Sequence, residues 1–208
     1  MTIAPVECGV PRWKKVEGEW GDDYGDVQRG GGEYHAPRTS RGTARILFLH
    51  GGVHCYYSAA AYRPLASKLA ALTGLDVLVP DFRLAPQFPF PAALDDAAAA
   101  LAWLRNRAPV DAPVVVVGDS SGGGLAVSLA LRDPSRVAAV YACAPWLDLT
   151  CGAASYETRK FRRETSLGDP VFNSGDAERE RAETLEMARA FLGDGTDPKD
   201  PLASPTAT

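Results

Sequence analysis

Histidine is scarce in this sequence: there are three, His35, His50 and His54, and none lies beyond position 54. Cysteine is nearly as scarce. The four residues Cys8, Cys55, Cys143 and Cys151 are far apart and form no Cys-x-x-Cys pair, which excludes the common zinc and dithiol spacings. They read as free, mostly buried thiols and not as disulfides. No group of residues has metal-ligand spacing. An excess of positive charge is lacking too: 22 Lys and Arg against 26 Asp and Glu leave a net charge of −4, so neither nucleic acid nor an anionic membrane is expected as a partner. No apolar run approaches the ~20 residues that span a bilayer; the longest helical one, over residues 92–104, is interrupted by Asp95 and Asp96. Residues 1–7 have no basic stretch followed by an apolar one, so no secretory leader is expected and the location is expected to be cytoplasmic.

What is present is an ordinary soluble composition, 46% hydrophobic and 23% charged over 208 residues, enough for one domain with a sizeable core. Residues 1–43 are rich in Gly, Pro and charge. They read as an irregular N-terminal segment, with weak strands over 12–20 and 32–37 and a turn at Gly30-Gly31-Gly32, which lacks the flanks of a phosphate loop. From residue 44 to 149 the pattern sharpens. Short, wholly apolar runs at 45–49, 75–79 (stopped by Pro80), 114–117 and 137–141 alternate with helical patterns at 62–72, 92–107 and 122–131. Strands apolar on both faces and separated by helices imply a parallel sheet covered on both sides, hence the α/β class. Residues 150–208 are polar, with one helix expected at 177–192 whose Leu185, Met187, Ala188, Phe191 and Leu192 would form an apolar side and whose charges would form an outer face.

The most informative segment is Gly118-Asp119-Ser120-Ser121-Gly122, directly after an apolar strand and before a helix. Gly-x-Ser-x-Gly in that context is a nucleophile elbow: a sharp turn that projects the serine above the sheet at a helix N-terminus, where developing negative charge is favoured. Gly118 and Gly122 are required because side chains there would strike the neighbouring strand and helix. Ser121 is a rival nucleophile, but only Ser120 has glycine at both flanking positions. Upstream, His50-Gly51-Gly52 follows the 45–49 strand; its glycines let backbone N–H groups approach a carbonyl oxygen as it becomes an oxyanion.

His50-Gly51-Gly52, Asp81-Phe82-Arg83-Leu84-Ala85-Pro86, Phe88-Pro89-Phe90-Pro91-Ala92, Gly118-Asp119-Ser120-Ser121-Gly122-Gly123, Pro145-Trp146-Leu147-Asp148-Leu149-Thr150 and Asp200-Pro201-Leu202-Ala203-Ser204-Pro205 together resemble the signature blocks of the hormone-sensitive-lipase-like branch of the α/β-hydrolases, in order and in spacing. The resemblance implies an α/β-hydrolase sheet with helices on both faces and hydrolysis of short-to-medium acyl esters, a small-molecule substrate, without cofactor or metal. It implies Ser120 as the catalytic nucleophile. Gly51, Gly52 and Ser121 become oxyanion-hole donors, with His50, Asp119, Gly118 and Gly122 in support. Asp81 and Arg83 would hold the loop after the second apolar strand, and residues 150–193 would form part of a cap. The sequence departs from the family at Val53, where a third Gly or Ala is usual, and at His54, where an aromatic is common.

The family's triad runs Ser, then Asp or Glu, then His along the chain, yet all three histidines here precede Ser120. In the family, two further strands carrying the acid and the histidine follow the Asp-Pro-Leu-Ala-Ser-Pro block, whereas this sequence stops at Thr208. A C-terminally truncated sheet is therefore expected, with the 137–141 strand at an unpaired edge that invites self-association. Of the upstream histidines, His50 is expected to support its own loop, His54 to be the better substitute base, and His35 to lie on the surface in a loop. Loss of Ser or His from a serine hydrolase costs on the order of 10⁶ in turnover, so weak or absent esterase activity is expected of these 208 residues. The alternatives are a catalytically dead, small-molecule-binding relative, as in gibberellin perception, or a non-functional fragment. The acidic pairs Asp22-Asp23 and Asp95-Asp96 read as solvated surface residues, because adjacent acids on a helix point apart.

Overall fold

A computed structural model describes residues 12–17, 31–37, 42–107, 109, 112–152 and 177–206. Trp20, Asp22, Asp23, Gly30, Cys8 and the 153–176 part of the expected cap lie outside the described residues. Six strands, β1 (Arg12–Glu17), β2 (Gly31–Ala36), β3 (Arg45–Leu49), β4 (Asp76–Asp81), β5 (Val114–Asp119) and β6 (Ala139–Cys143), form one sheet in the order β1-β2-β4-β3-β5-β6. Among the described residues, four helices accompany it: α1 (Ala59–Thr73), α2 (Ala92–Asn106), α3 (Ser120–Arg132) and α4 (Ala177–Leu192).

The pairs β4–β3, β3–β5 and β5–β6 are parallel, and β2 and β1 add to the β4 side as an antiparallel ribbon. The period of two along each strand divides the core between the faces. Ile46, Phe48, Val77 and Val79 pack with Ala59, Ala66 and Ala70 of α1. Leu47, Leu49, Leu78, Val114 and Val116 pack on the other face with Leu94 and Leu101 of α2 and Leu125 and Leu129 of α3. Ala188, Phe191 and Leu192 of α4 join this second cluster, each large apolar side chain contributing roughly 1.5–3 kcal/mol on burial. None of the helices is long and apolar enough to cross a membrane, among the described residues.

Several sequence expectations are corrected. Gly31 and Gly32 are not a turn but the start of β2, paired with β1 on one side and β4 on the other. Pro80 does not stop β4: the β3 ladder ends at Leu47 opposite Leu78, and Pro80 lies beyond it, opposite Gly32, so its missing N–H breaks no bond to β3. His35 is not a surface loop residue. It is fully buried in β2, with Nδ1 3.0 Å from Ser67 Oγ and Nε2 3.5 Å from Glu33, and burial lowers its pKa. Asp96 is not solvated either; its buried carboxylate pairs with Arg83, whereas Asp95 pairs with Arg132 at the surface. Among the described cysteines, all free, Cys151 is buried, Cys55 half-buried and Cys143 exposed.

The helix at 177–192 has the expected limits. Arg179 and Glu183 pair on its exposed side, Leu185 and Met187 are half-buried, and Ala188, Phe191 and Leu192 are buried. At the opposite end from β1, β6 is an edge strand whose residues alternate between exposed and half-buried, with Tyr141 65% exposed.

Candidate active site

The site is built where β5 turns into α3. Ser120 has φ 51° and begins the helix, a left-handed conformation that costs a non-glycine residue on the order of 1–3 kcal/mol and persists only when its surroundings impose it. The imposition is steric. A Cβ on Gly118 would lie 2.3 Å from Gly122 O, and one on Gly122 would lie 2.2 Å from Leu49 O and 2.4 Å from His50 O. Strand, turn and helix therefore meet at distances only glycine allows. Trp146 N–H donates to Ser120 O at 2.9 Å, so the Pro145–Thr150 block fastens the turn from the β6 side. The first N–H groups of α3, that of Ser121 included, lack intrahelical acceptors, as at any helix start.

The His50–His54 segment lies against this elbow, tied to the residues on either side of Ser120. Gly51 N–H donates to Asp119 Oδ1 at 3.0 Å and to the Tyr62 hydroxyl at 3.2 Å, and Tyr62 Oη–H donates to Asp119 Oδ2 at 2.9 Å. Burial, reinforced by the bond to Asp119, pushes the Tyr62 pKa up to about 12, so the phenol keeps its proton. At the other end His54 N–H donates to Ser121 Oγ at 3.2 Å, and His54 O accepts from Ala85 N–H at 2.9 Å. Gly52 O accepts from both Cys55 N–H and Tyr56 N–H at 2.9 Å. Gly52, Val53 and His54 all have positive φ, 121°, 49° and 62°.

His50 stacks on Phe82 at 4.3 Å with Nδ1 2.8 Å from Gly51 O, and burial lowers its pKa. Its ring bond is thus to the backbone of the loop it begins. His54 stacks face to face on Phe191 at 3.7 Å. Burial, with a smaller contribution from His50, takes its pKa down to about 3, so at neutral pH its ring is an uncharged aromatic and a feeble base. His35 belongs to β2, away from the elbow. No described residue forms a hydrogen bond with the Ser120 hydroxyl.

The structure thus brings together Gly51, Gly52, Gly118, Asp119, Ser120, Ser121 and Gly122, with His50 beneath the loop. Gly51 N–H faces a competing acceptor in Asp119, whereas the N–H groups of Gly52 and Val53 have no partner among the described residues. Tyr62 escaped the sequence reading: it counts there as one apolar position of a helix, and its partner Asp119 is 57 residues away. Arg83, in the loop after β4, and Asp81, at the end of that strand, bond to different elements. Arg83 pairs with Asp96, and Asp81 Oδ1 accepts from Ala59 N–H at 2.6 Å, capping α1. In the closing block Ser204 Oγ accepts from Leu149 N–H at 2.9 Å, joining the two C-terminal family blocks. Residues that could hold a metal are not clustered anywhere among the described residues.

Residues 46–208 match the family described as alpha/beta hydrolase fold. The chain is 36% identical over 210 residues to an acetyl-hydrolase of Streptomyces hygroscopicus, covering 98% of this chain and 65% of that protein. It is 38% identical over 95 residues to a gibberellin receptor of Arabidopsis thaliana, covering 42% of this chain and 28% of the receptor. A crystal structure of an esterase from the bacterial hormone-sensitive lipase family superposes with a TM-score of 0.73 at 28% identity, over 94% of this chain and 59% of the esterase. The chain accordingly spans about two thirds or less of the length of these relatives. With elbow, glycine loop and sheet order in place, the chain belongs to the hormone-sensitive-lipase-like branch of the α/β-hydrolase fold family.

Proposed function

We propose that this chain carries the nucleophile and oxyanion-stabilising part of a serine carboxylic-ester hydrolase acting on short-to-medium acyl esters. The observation that supports it best is the strained Ser120 at the strand-to-helix turn, with the His50–His54 loop bonded to the residues on both sides of it. Ser120 Oγ attacks the ester carbonyl and forms the tetrahedral intermediate; the N–H groups of Gly52 and Ser121 receive the oxyanion. Gly51, whose N–H is engaged by Asp119, holds the loop close instead of donating. The intermediate collapses to an acyl-Ser120 with departure of the alcohol, and water then releases the acid. Residues 44–149 act as the hydrolase core and 150–208 as a cap-like segment, in a cytoplasmic protein without cofactor, and the β6 edge, unpaired among the described residues, associates with a second copy.

Neither proton transfer has an efficient agent among the described residues, since His54 is neutral and stacked and His50 is bonded to its own loop. These 208 residues should therefore acylate slowly and turn over weakly or not at all. The test is exposure to p-nitrophenyl acetate and butyrate with intact-mass detection, for the chain and for Ser120→Ala. Slow acylation at Ser120, absent from the variant, is expected. Fast turnover would overturn the catalytic weakness, and acylation that survives Ser120→Ala would overturn the nucleophile.

The same lack of a base favours a second reading, a relative that binds a small acid or ester without turning it over. Saturable binding of butyrate or its ethyl ester with no acyl adduct would select it.

A further inference from the structure

The loop between His50 and Cys55 is held in a conformation it would not adopt by itself. Val53 and His54 are consecutive non-glycine residues with positive φ, and a β-branched residue there is an outlier that needs external support. The support is visible and has two ends. At one, Gly51 N–H is shared by Asp119 Oδ1 and the Tyr62 hydroxyl, which itself donates to Asp119 Oδ2. At the other, His54 N–H donates to Ser121 Oγ. Asp119 and Ser121 are the two neighbours of Ser120. The loop and the nucleophile are therefore fixed to one another by side chains that leave Ser120 Oγ itself untouched. Between the two ties lie Gly52 and Val53, whose N–H groups have no partner among the described residues.

We infer that Tyr62 and Ser121 are positioning residues: their hydroxyls clamp the two ends of the 51–54 loop onto the elbow, so that Gly52 N–H is presented toward the oxyanion beside Ser121 N–H. The role presupposes Ser120 as the nucleophile. Asp119 alone is insufficient for the first tie, because one carboxylate oxygen accepting one N–H leaves its own torsion free; the Tyr62 bond to the second oxygen removes that freedom. Tyr62 is well placed for this. Its ring lies 5.6 Å from Phe48 and 5.5 Å from His50, so packing fixes the hydroxyl, and its proton is retained across the working range of pH. Ser121 is buried, 1% exposed, so water does not compete for its oxygen. Each tie is a single hydroxyl on an otherwise unchanged side chain, so each can be removed without altering the packing around it.

The experiment compares the 208-residue chain with Tyr62→Phe, Ser121→Ala and the double variant. Two quantities are read: the rate of Ser120 acylation as a function of p-nitrophenyl butyrate concentration, and amide hydrogen exchange in the peptide spanning residues 50–57. A displacement of about 1 Å in such a site costs on the order of 10²-fold in rate. Each single variant should therefore acylate roughly 10- to 100-fold more slowly at saturation, with the half-saturating ester concentration unchanged. Exchange should rise in 50–57 and stay unchanged in α2. A merely structural role would lower thermal stability and raise exchange generally, without a selective loss of the saturated rate, and would overturn the inference. Unchanged exchange in 50–57 would overturn it as well. Failure of the unsubstituted chain to acylate at Ser120 would instead overturn the nucleophile, and the exchange comparison would still decide whether the clamp exists.

Discussion

Replacing Asp96 by alanine is expected to cost several times what the same change costs at its neighbour Asp95. The two are adjacent on α2 and carry the same charge, yet the Asp96 side chain is 3% exposed and the Asp95 side chain 47%. Asp96 accepts from Arg83 Nε at 2.9 and 3.1 Å, from Nη2 at 2.8 Å and from Arg83 N–H at 2.8 Å. Removing the carboxylate would take from the half-buried guanidinium and a backbone N–H the acceptor they share. Breaking a buried ion pair from one side typically costs about 3–5 kcal/mol. Asp95 shares only a surface ion pair with Arg132, a class worth roughly 0–1 kcal/mol. For a chain of this size each kcal/mol is about 2–4 °C in Tm, so Asp96→Ala should lower Tm by on the order of 10 °C and Asp95→Ala by about 2 °C. Thermal unfolding followed by far-ultraviolet circular dichroism, at low and high salt, is the assay. The Asp95 effect should shrink with salt and the Asp96 effect should persist, because buried pairs are screened less. Equal costs at the two positions, or an Asp96 effect abolished by salt, would refute the reasoning.

Gly122→Ala places a Cβ 2.2 Å from Leu49 O, a clash with backbone that cannot be relieved by a side-chain rotation; a loss of about 1–3 kcal/mol or more in urea unfolding is expected. The buried His54, with its pKa taken down to about 3 from 6.5, binds its proton only in the unfolded chain over most of that interval. Its contribution to stability is therefore full above pH 6.5 and falls as the pH drops toward 3. Between about pH 6.5 and pH 4.5 the loss is roughly 2 kcal/mol, and His54→Phe, which retains the stack on Phe191, should flatten the acid limb by that amount; an unchanged acid limb would rule the effect out. Tyr141→Lys puts a charge on the exposed β6 edge, and light scattering should then show loss of any concentration-dependent dimer; a dimer that persists would place the contact elsewhere.

The C-terminal half of the sheet was legible because its signals are local. The Val114–Asp119 strand and the Gly-x-Ser-x-Gly turn specify their conformation within a dozen residues, by apolar periodicity and by the absence of Cβ atoms at Gly118 and Gly122. The 177–192 helix was legible for the same reason. The N-terminal ribbon was harder. Gly31 and Gly32 have weak strand propensity, and they are held as strand only because β4, distant in sequence, supplies half of their ladder. His35 was misplaced with them, since its burial follows from α1 lying across β2 and delivering Ser67 to its ring.

The family, the parallel α/β class of the sheet and the place of Ser120 at the strand-to-helix turn follow from the sequence itself, because close packing of strand, turn and helix admits almost no other residues there. Which polar groups meet was decided by tertiary structure alone. Asp95 and Asp96 are indistinguishable until Arg83 pairs with the one that is buried and Arg132 with the one that is exposed. Nothing in the sequence places Asp119 and Tyr62 against the Gly51 N–H. Hydrogen bonds and ion pairs act over about 3 Å, and only the folded chain brings residues dozens of positions apart within that distance.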